Sequence, residues 1–245
     1  MGVIQGKPKQ VFWGVPIGII MLDTHIPFPP GDVGNATSFR FPVCYRVVEG
    51  ATHSRFIKSG DRTLVDGFIA AARELEENGV RAVTGDCGFM ALFQEEVAGA
   101  VDIPVFLSPL LLVPMVSRMI KKSKKVGIFT ADSTSLTPAH FSAVGITPDM
   151  PVVIAGMENE PEFSAIYLKS QPHMDFERVE NEVLSVARRF VAENRDLGAL
   201  VLECSELPMF SAKIREISGL PVFDFNAMIN MVHDAVVPPT YHGHL

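Results

Sequence analysis

Two cysteines of this chain stand where a side chain can move a proton. Cys204 ends the run Ala-Leu-Val-Leu-Glu-Cys over 199–204 and is followed by Ser205, Glu206, Leu207 and Pro208. Cys87 ends Ala-Val-Thr-Gly-Asp-Cys over 82–87 and is followed by Gly88 and Phe89. Each reads as a buried strand that stops on a thiol where a helical pattern begins. Backbone N–H groups at a helix start stabilise a thiolate, moving its pKa from about 8.5 toward the neutral range. Two such thiols on opposite sides of one molecule suit taking a proton from carbon on one face and returning one on the other. That is racemisation or epimerisation next to a carboxylate or carbonyl, with helix-start donors for the developing charge. A single cysteine at a strand end is commonly just a small buried residue; the paired placement is what points to chemistry.

The pair belongs to a duplication. With Cys87 laid on Cys204, Ala82 falls on Ala199, Glu76 on Glu193, Ala70 on Ala187, and Pro104-Val105-Phe106 on Pro221-Val222-Phe223 without a gap. Each half reads helix, strand, cysteine, helix, then a short strand opened by proline. The expected fold class is therefore α/β: two similar lobes, each a parallel sheet flanked by helices, pseudo-two-fold related with the site between them. The first lobe is expected over 10–115 plus 225–245 and carries Cys87; the second, over 116–224, carries Cys204. Strands are expected over 15–22, 42–48, 80–84, 103–107, 125–131 and 150–156, with a further one running into Cys204. Helices are expected over 64–77, 91–101, 109–121, 175–194 and 227–236.

Composition narrows the function classes. The chain has 245 residues, 47% of them hydrophobic and 20% charged, enough for a sizeable core and without a disordered segment. A net charge of −7 argues against a nucleic-acid partner. The three cysteines have no CxxC spacing and the histidines no metal-like spacing, so no metal site and no disulfide framework is expected. No dinucleotide Gly-x-Gly-x-x-Gly, P-loop or pyridoxal lysine motif appears, so no cofactor is expected. The first residues lack an apolar signal core, and the apolar run over 109–120 is too short to span a bilayer; a cytoplasmic location without a membrane partner is the expectation, with a homo-oligomer allowed.

Further residues fall where the two lobes' strand ends should gather a ligand. Asp23 ends the first strand, and Asn35 closes the Pro- and Gly-rich loop over 28–35, a candidate binding loop. Asp132-Ser133-Thr134-Ser135, after the fifth strand, resembles an anion cradle, although the same residues suit a helix N-cap. Asp86 and Glu206 can orient water or the thiols, while as negative charges they oppose thiolate formation. Cys44 reads as a core cysteine.

Glu203-Cys204-Ser205-Glu206 is similar to the Gly-Cys-Thr-Glu or Gly-Cys-Thr-His pattern of the cofactor-independent aspartate/glutamate/hydantoin racemase superfamily, with Ser205 in place of Thr. Asp86-Cys87-Gly88-Phe89 resembles its Cys-Asn-Thr motif but lacks the Asn amide that the family uses on the substrate carboxylate. Val126-Gly127-Ile128-Phe129, with Thr134 further on, is similar to the family's strand-and-Thr segment that contacts the substrate, with Ala131 at the first of its two Thr positions. Ile17-Gly18-Ile19-Ile20 looks like the first strand of the arylmalonate decarboxylase and maleate isomerase branch. The resemblance implies a racemase with Cys87 and Cys204 as the acid/base pair and Glu206 as a helper. Asp86, Gly88, Phe89, Thr130, Ser133, Thr134 and Ser205 would lie around a small-molecule carboxylate substrate. The alternatives are a decarboxylase or cis-trans isomerase on the same scaffold, with one cysteine dominant, and a small-acid binding protein in which the thiols are incidental. A cysteine hydrolase would need a placed histidine, and none lies near either motif in sequence.

Overall fold

The computed structural model describes residue 3 and residues 5–243 of the chain. Its first half contains β1 (Ile17–Met21), β2 (Val43–Val47), α1 (Val65–Glu77), β3 (Ala82–Gly85), α2 (Gln94–Ala98), β4 (Val105–Phe106) and α3 (Val113–Met119). The second half contains β5 (Lys125–Thr130), α4 (Pro138–Ala143), β6 (Val152–Gly156), α5 (Pro161–Phe163), α6 (Phe176–Glu193), β7 (Leu197–Leu202), α7 (Ser211–Ser218), β8 (Val222–Phe223) and α8 (Phe225–Val236). The strands form two parallel sheets of identical topology, β2-β1-β3-β4 and β6-β5-β7-β8. The duplication read from the cysteines is thus a duplication of the fold.

Parallel strands covered on both faces need apolar residues at every position, and β1 shows this as Ile-Gly-Ile-Ile-Met, buried throughout. Its alternate residues feed different cores. Ile17, Ile19 and Met21 join one cluster with Val126, Ile128, Ala199 and Val201 of the second sheet, whereas Ile20 faces a separate cluster under α1 with Phe68 and Leu75. On the other sheet Phe129, Leu200 and Leu202 pack beneath α6 with Val183 and Phe190. One shared apolar layer therefore lies between the sheets, and helices cover each outer face. The final helix α8, capped by Asp224, returns to pack on β3.

Several expected helices are shorter than their apolar patterns. The segment over 91–101 is a 3-10 turn, Gly88–Phe93, followed by the five residues of α2. The Gln94 side chain leaves the helical pattern to bond Val105 O and Leu107 N across β4. The segment over 109–121 begins as a Ser108-capped 3-10 turn, Pro109–Leu112, before α3. Two π-helical turns that no period announced, Ser54–Lys58 and Ser164–Leu168, occupy corresponding places in the two halves.

The loop over 28–35 is structural as well as local. Val33 N donates to Ser205 O, and Asn226 Nδ2 donates to Gly31 O, so a loop of the first half is tied into the second. Gly31 has φ +102°, and a Cβ there would meet Met209 Cα at 2.8 Å. Gly31→Ala should destabilise the protein by about 1–3 kcal/mol, because it forces both an unfavourable backbone angle and a backbone clash; a denaturant midpoint equal to that of the parent would contradict this account of the loop.

Candidate active site

In a sheet of order 2-1-3-4 the chain turns in opposite directions after the first and third strands, which opens a crevice at their carboxyl ends. Cys87 follows β3, and Cys204 follows β7, so both thiols reach the equivalent place in their own sheet. Asp86 N donates to Ile20 O beside it, as Glu203 N does to Phe129 O, continuing each ladder up to the cysteine. Both thiols line one cavity, together with Leu22, Thr24, Phe28, His53, Ile57, Asp86, Gly88, Phe89, Ala131, Tyr167, Glu203, Ser205 and Glu206. They are 8% (Cys87) and 4% (Cys204) exposed.

The two motifs interlock across the seam. The Ser205 hydroxyl donates to the Asp86 carbonyl, and Gly88 lies so close to the Glu203 carbonyl and carboxyl that a Cβ would collide with both. In the cysteine-on-cysteine alignment Asp86 corresponds to Glu203 and Gly88 to Ser205, so each strand end receives the residue that follows the other lobe's cysteine. The correspondence fails at the next residue, where Phe89 stands opposite Glu206. Cys204 donates its thiol hydrogen to the Glu206 carboxyl, while Phe89 instead packs edge-on against His140 of α4.

The electrostatics overturn the expectation of easily ionised thiols. Burial comes first, and then the carboxylates: Glu203, Asp86 and Glu206 raise Cys87, and Glu206 and Glu203 raise Cys204, each well above the ordinary thiol value. The N–H groups of Phe89 and Glu206 do face the respective sulfurs and lower their pKa values, as expected of a helix start, but the turns are short and this effect is outweighed. The carboxyls are pushed the same way. Burial raises Asp86 to about 8 and Glu203 to about 8, and it raises Glu206 and Asp32 above their ordinary values. No Lys or Arg is among the lining residues, and burial lowers His53 to about 4, leaving it neutral at neutral pH.

The other expected contact residues stand further out. The Thr130 hydroxyl supports the site from behind by donating to Glu203 Oε2. Asp23 accepts from Gly50 N, and Asn35 caps the turn Ala36–Ser38. The Ser133 hydroxyl is held by Glu158, and that of Thr134 by Asp132. None of these lines the cavity, and each polar group is already engaged, Asn35 and Thr134 within their own turns and Asp23, Thr130 and Ser133 with Gly50, Glu203 and Glu158. The hydroxyl-rich segment is thus a self-capped turn, and its carboxylate, Asp132, pairs with Lys58 of the opposite lobe.

The Lys58–Asp132 pair ties the first π-helical turn to the segment after β5, and the His53 Nδ1 to Ser170 Oγ contact of 3.1 Å joins residues flanking the two turns. Ile57 and Tyr167, one from each turn, roof the cavity, whose volume is about 10 Å³. That is room for roughly one water. Glu203 was legible as the counterpart of Asp86. Asp32, His53 and Tyr167 carried no signal in the sequence, since only the folded chain brings the loop and the turns to the seam. Among the described residues no group of three or more His, Cys, Asp or Glu is arranged to hold a metal ion.

The raised carboxyls make a stability prediction. For Asp86 and Glu203 the folded-state pKa lies above the unfolded one, so from pH about 4 to about 8 the folded state binds more protons and stability falls as pH rises. His53 and His140, lowered to about 4 by burial, act in the opposite direction, but only up to their unfolded value of 6.5. The melting temperature should therefore decline between pH about 6.5 and about 8.5, and decline less in Asp86→Asn and Glu203→Gln. A flat profile over that interval in the parent protein would contradict the placement of these acids.

No protein-family model matches the chain. It is 36% identical over 215 residues to a dimethylsulfoniopropionate lyase of Durusdinium sp. clade D, an alignment covering 85% of this chain and 70% of that one. It is 34% identical over 218 residues to dimethylsulfoniopropionate lyase 3 of Emiliania huxleyi, covering 85% of this chain but 56% of that longer one. Among solved structures, allantoin racemase from Klebsiella pneumoniae matches with a TM-score of 0.63 at 16% identity, covering 91% of this chain and 88% of that one. Arylmalonate decarboxylase, as a Gly74Cys mutant, matches at 0.60 and 13% identity, covering 94% and 97%. The two-lobed fold is thus shared with these racemase and decarboxylase structures, and by sequence the chain belongs to the dimethylsulfoniopropionate lyase family.

Proposed function

We propose that this protein is a carbon–sulfur lyase that eliminates dimethyl sulfide from dimethylsulfoniopropionate, with Cys204 as the base at the carbon next to the carboxylate. The observation that carries this reading is the hydrogen-bonded Cys204–Glu206 pair in a closed cavity whose second thiol has Phe89 where Glu206 would be. An enzyme that inverts a centre in both directions needs two matched proton carriers. An elimination needs one strong base and a leaving group.

The Cys204 thiolate, formed as Glu206 takes its proton, removes a proton from the α-carbon. The C–H electron pair becomes the new carbon–carbon double bond, and the β-carbon–sulfur pair leaves with sulfur. The products are acrylate, neutral dimethyl sulfide and one proton, which sits first on Cys204. A raised thiol pKa makes the thiolate scarce but strongly basic, which suits a weakly acidic carbon. The Phe89 and Glu206 N–H groups are the donors nearest the sulfurs, available to the carboxylate as charge builds on it.

Inversion of a stereocentre is the second reading, supported by the presence of both thiols on one cavity. It shares the first proton transfer and differs in the fate of the electron pair, which takes up a proton from the other thiol instead of expelling sulfur. In headspace gas chromatography the parent protein should release dimethyl sulfide in step with acrylate. Cys204→Ala should lose at least about 10²-fold in kcat, the usual size of a general-base effect, and Cys87→Ala clearly less. Absence of both products, together with solvent deuterium entering the α-carbon of a chiral acid, would replace the lyase reading with the inversion one.

A further inference from the structure

We infer that Glu203 is the specificity-determining residue of this cavity, facing the positively charged end of the substrate and selecting an onium cation, a sulfonium or quaternary ammonium, over a neutral group of the same shape. The inference rests on the elimination reading only in taking this cavity as the substrate site.

Glu203 is fully buried, at 0% exposure. Its Oε2 accepts from the Thr130 hydroxyl, while its Oε1 has no hydrogen-bond partner. A buried carboxyl oxygen without a donor is costly, and it persists here on the wall of a cavity. The carboxyls of Asp86 and Glu206 line the same wall space, and Asp32, 1% exposed with its own Oδ2 unpartnered, lies close enough to interact electrostatically with both. Among the described lining residues there is no Lys or Arg to balance them, and the Lys58 ammonium is engaged by Asp132.

The rest of the lining decides which kind of cation fits. An ammonium with N–H groups would need several aimed acceptors, whereas a sulfonium or quaternary ammonium offers only methyl groups and charge. Such centres are held by aromatic faces and nearby negative charge. The cavity supplies Phe28, Phe89 and Tyr167 with Leu22 and Ile57, and the carboxyls complete it. Gly88 is part of the arrangement, because any Cβ there would displace the Glu203 carboxyl from beside Cys87. An onium seated against Glu203 favours the ionised form of this carboxyl, which burial otherwise holds protonated up to about pH 8, so the charge that selects the cation forms as the cation binds.

Two ligands of matched shape test the inference: 3-(trimethylammonio)propanoate and its carbon isostere 4,4-dimethylpentanoate, titrated by calorimetry into the Cys204→Ala protein, in which the proposed base is removed. The cation should bind at least about tenfold more tightly, a difference of about 1.4 kcal/mol. Adding Glu203→Gln, which keeps the Thr130 bond, should bring the two affinities to within about threefold while leaving that of the isostere unchanged. Thermal denaturation checks that each variant is folded. Equal affinities in the presence of Glu203, or an unchanged ratio in its absence, would overturn the inference. Either result leaves the lyase reading standing, since that is decided by product formation; a failure to form products with the cation preference intact would overturn the lyase reading alone.

Discussion

Three carboxyl groups and two thiols are buried around one small cavity without a Lys or Arg among its lining residues, and most features of the site derive from that imbalance. An ionised carboxylate in such surroundings is expensive, so Asp86 and Glu203 hold their protons up to about pH 8, while Glu206 accepts the Cys204 thiol hydrogen. Each of the three acids, and Asp32 near them, is steadied from one side by its own neighbourhood: Asp86 by Leu22 N, Glu203 by Thr130, Glu206 by Cys204 and Asp32 by Gly34 N. What Asp32 and Glu203 lack is a partner for their second oxygen. Such a lining disfavours another anion alone, and it is the basis of the proposed preference for a molecule that brings its own positive charge along with a carboxylate.

The duplicated fold explains how this seam is built, and its departures from symmetry distinguish the two thiols. Two sheets of the same strand order present equivalent ends, and the reciprocal contacts of Ser205 with Asp86 and of Gly88 with Glu203 lock them together. The shared apolar layer of Ile17, Ile19, Val126, Ile128 and Val201 ties the lobes beneath the site. Symmetry ends where Phe89 stands opposite Glu206. One thiol then has a carboxyl to receive its proton while the other lobe has an aromatic ring at that position, the difference on which the proposed one-base elimination rests.

The sequence showed the elements because parallel strands buried on both faces must be continuously apolar, and the two cysteines ending such strands marked the site. The fixed offset between the halves revealed the repeated sheet. It also contained Glu203 as the partner of Asp86, a correspondence visible only once strand ends rather than motifs are compared. Other features depend on contacts distant in the chain. Asp32 becomes buried because its loop docks on Ser205, and Ser133 and Thr134 are spent within their own turn and on Glu158. The sign of the thiol shifts was illegible for the same reason. A helix-start effect can be read from local pattern, whereas desolvation and the crowding of carboxyls from both lobes arise only on folding.

The most direct test of the central claim is a crystal structure of the Cys204→Ala protein with dimethylsulfoniopropionate bound. The account predicts the substrate in the cavity between the lobes, with its sulfonium against Glu203 and its α-carbon about 3–3.5 Å from where the Cys204 sulfur would stand. A substrate bound in the reverse sense, with its carboxylate on Glu203 and its α-carbon away from residue 204, would contradict it.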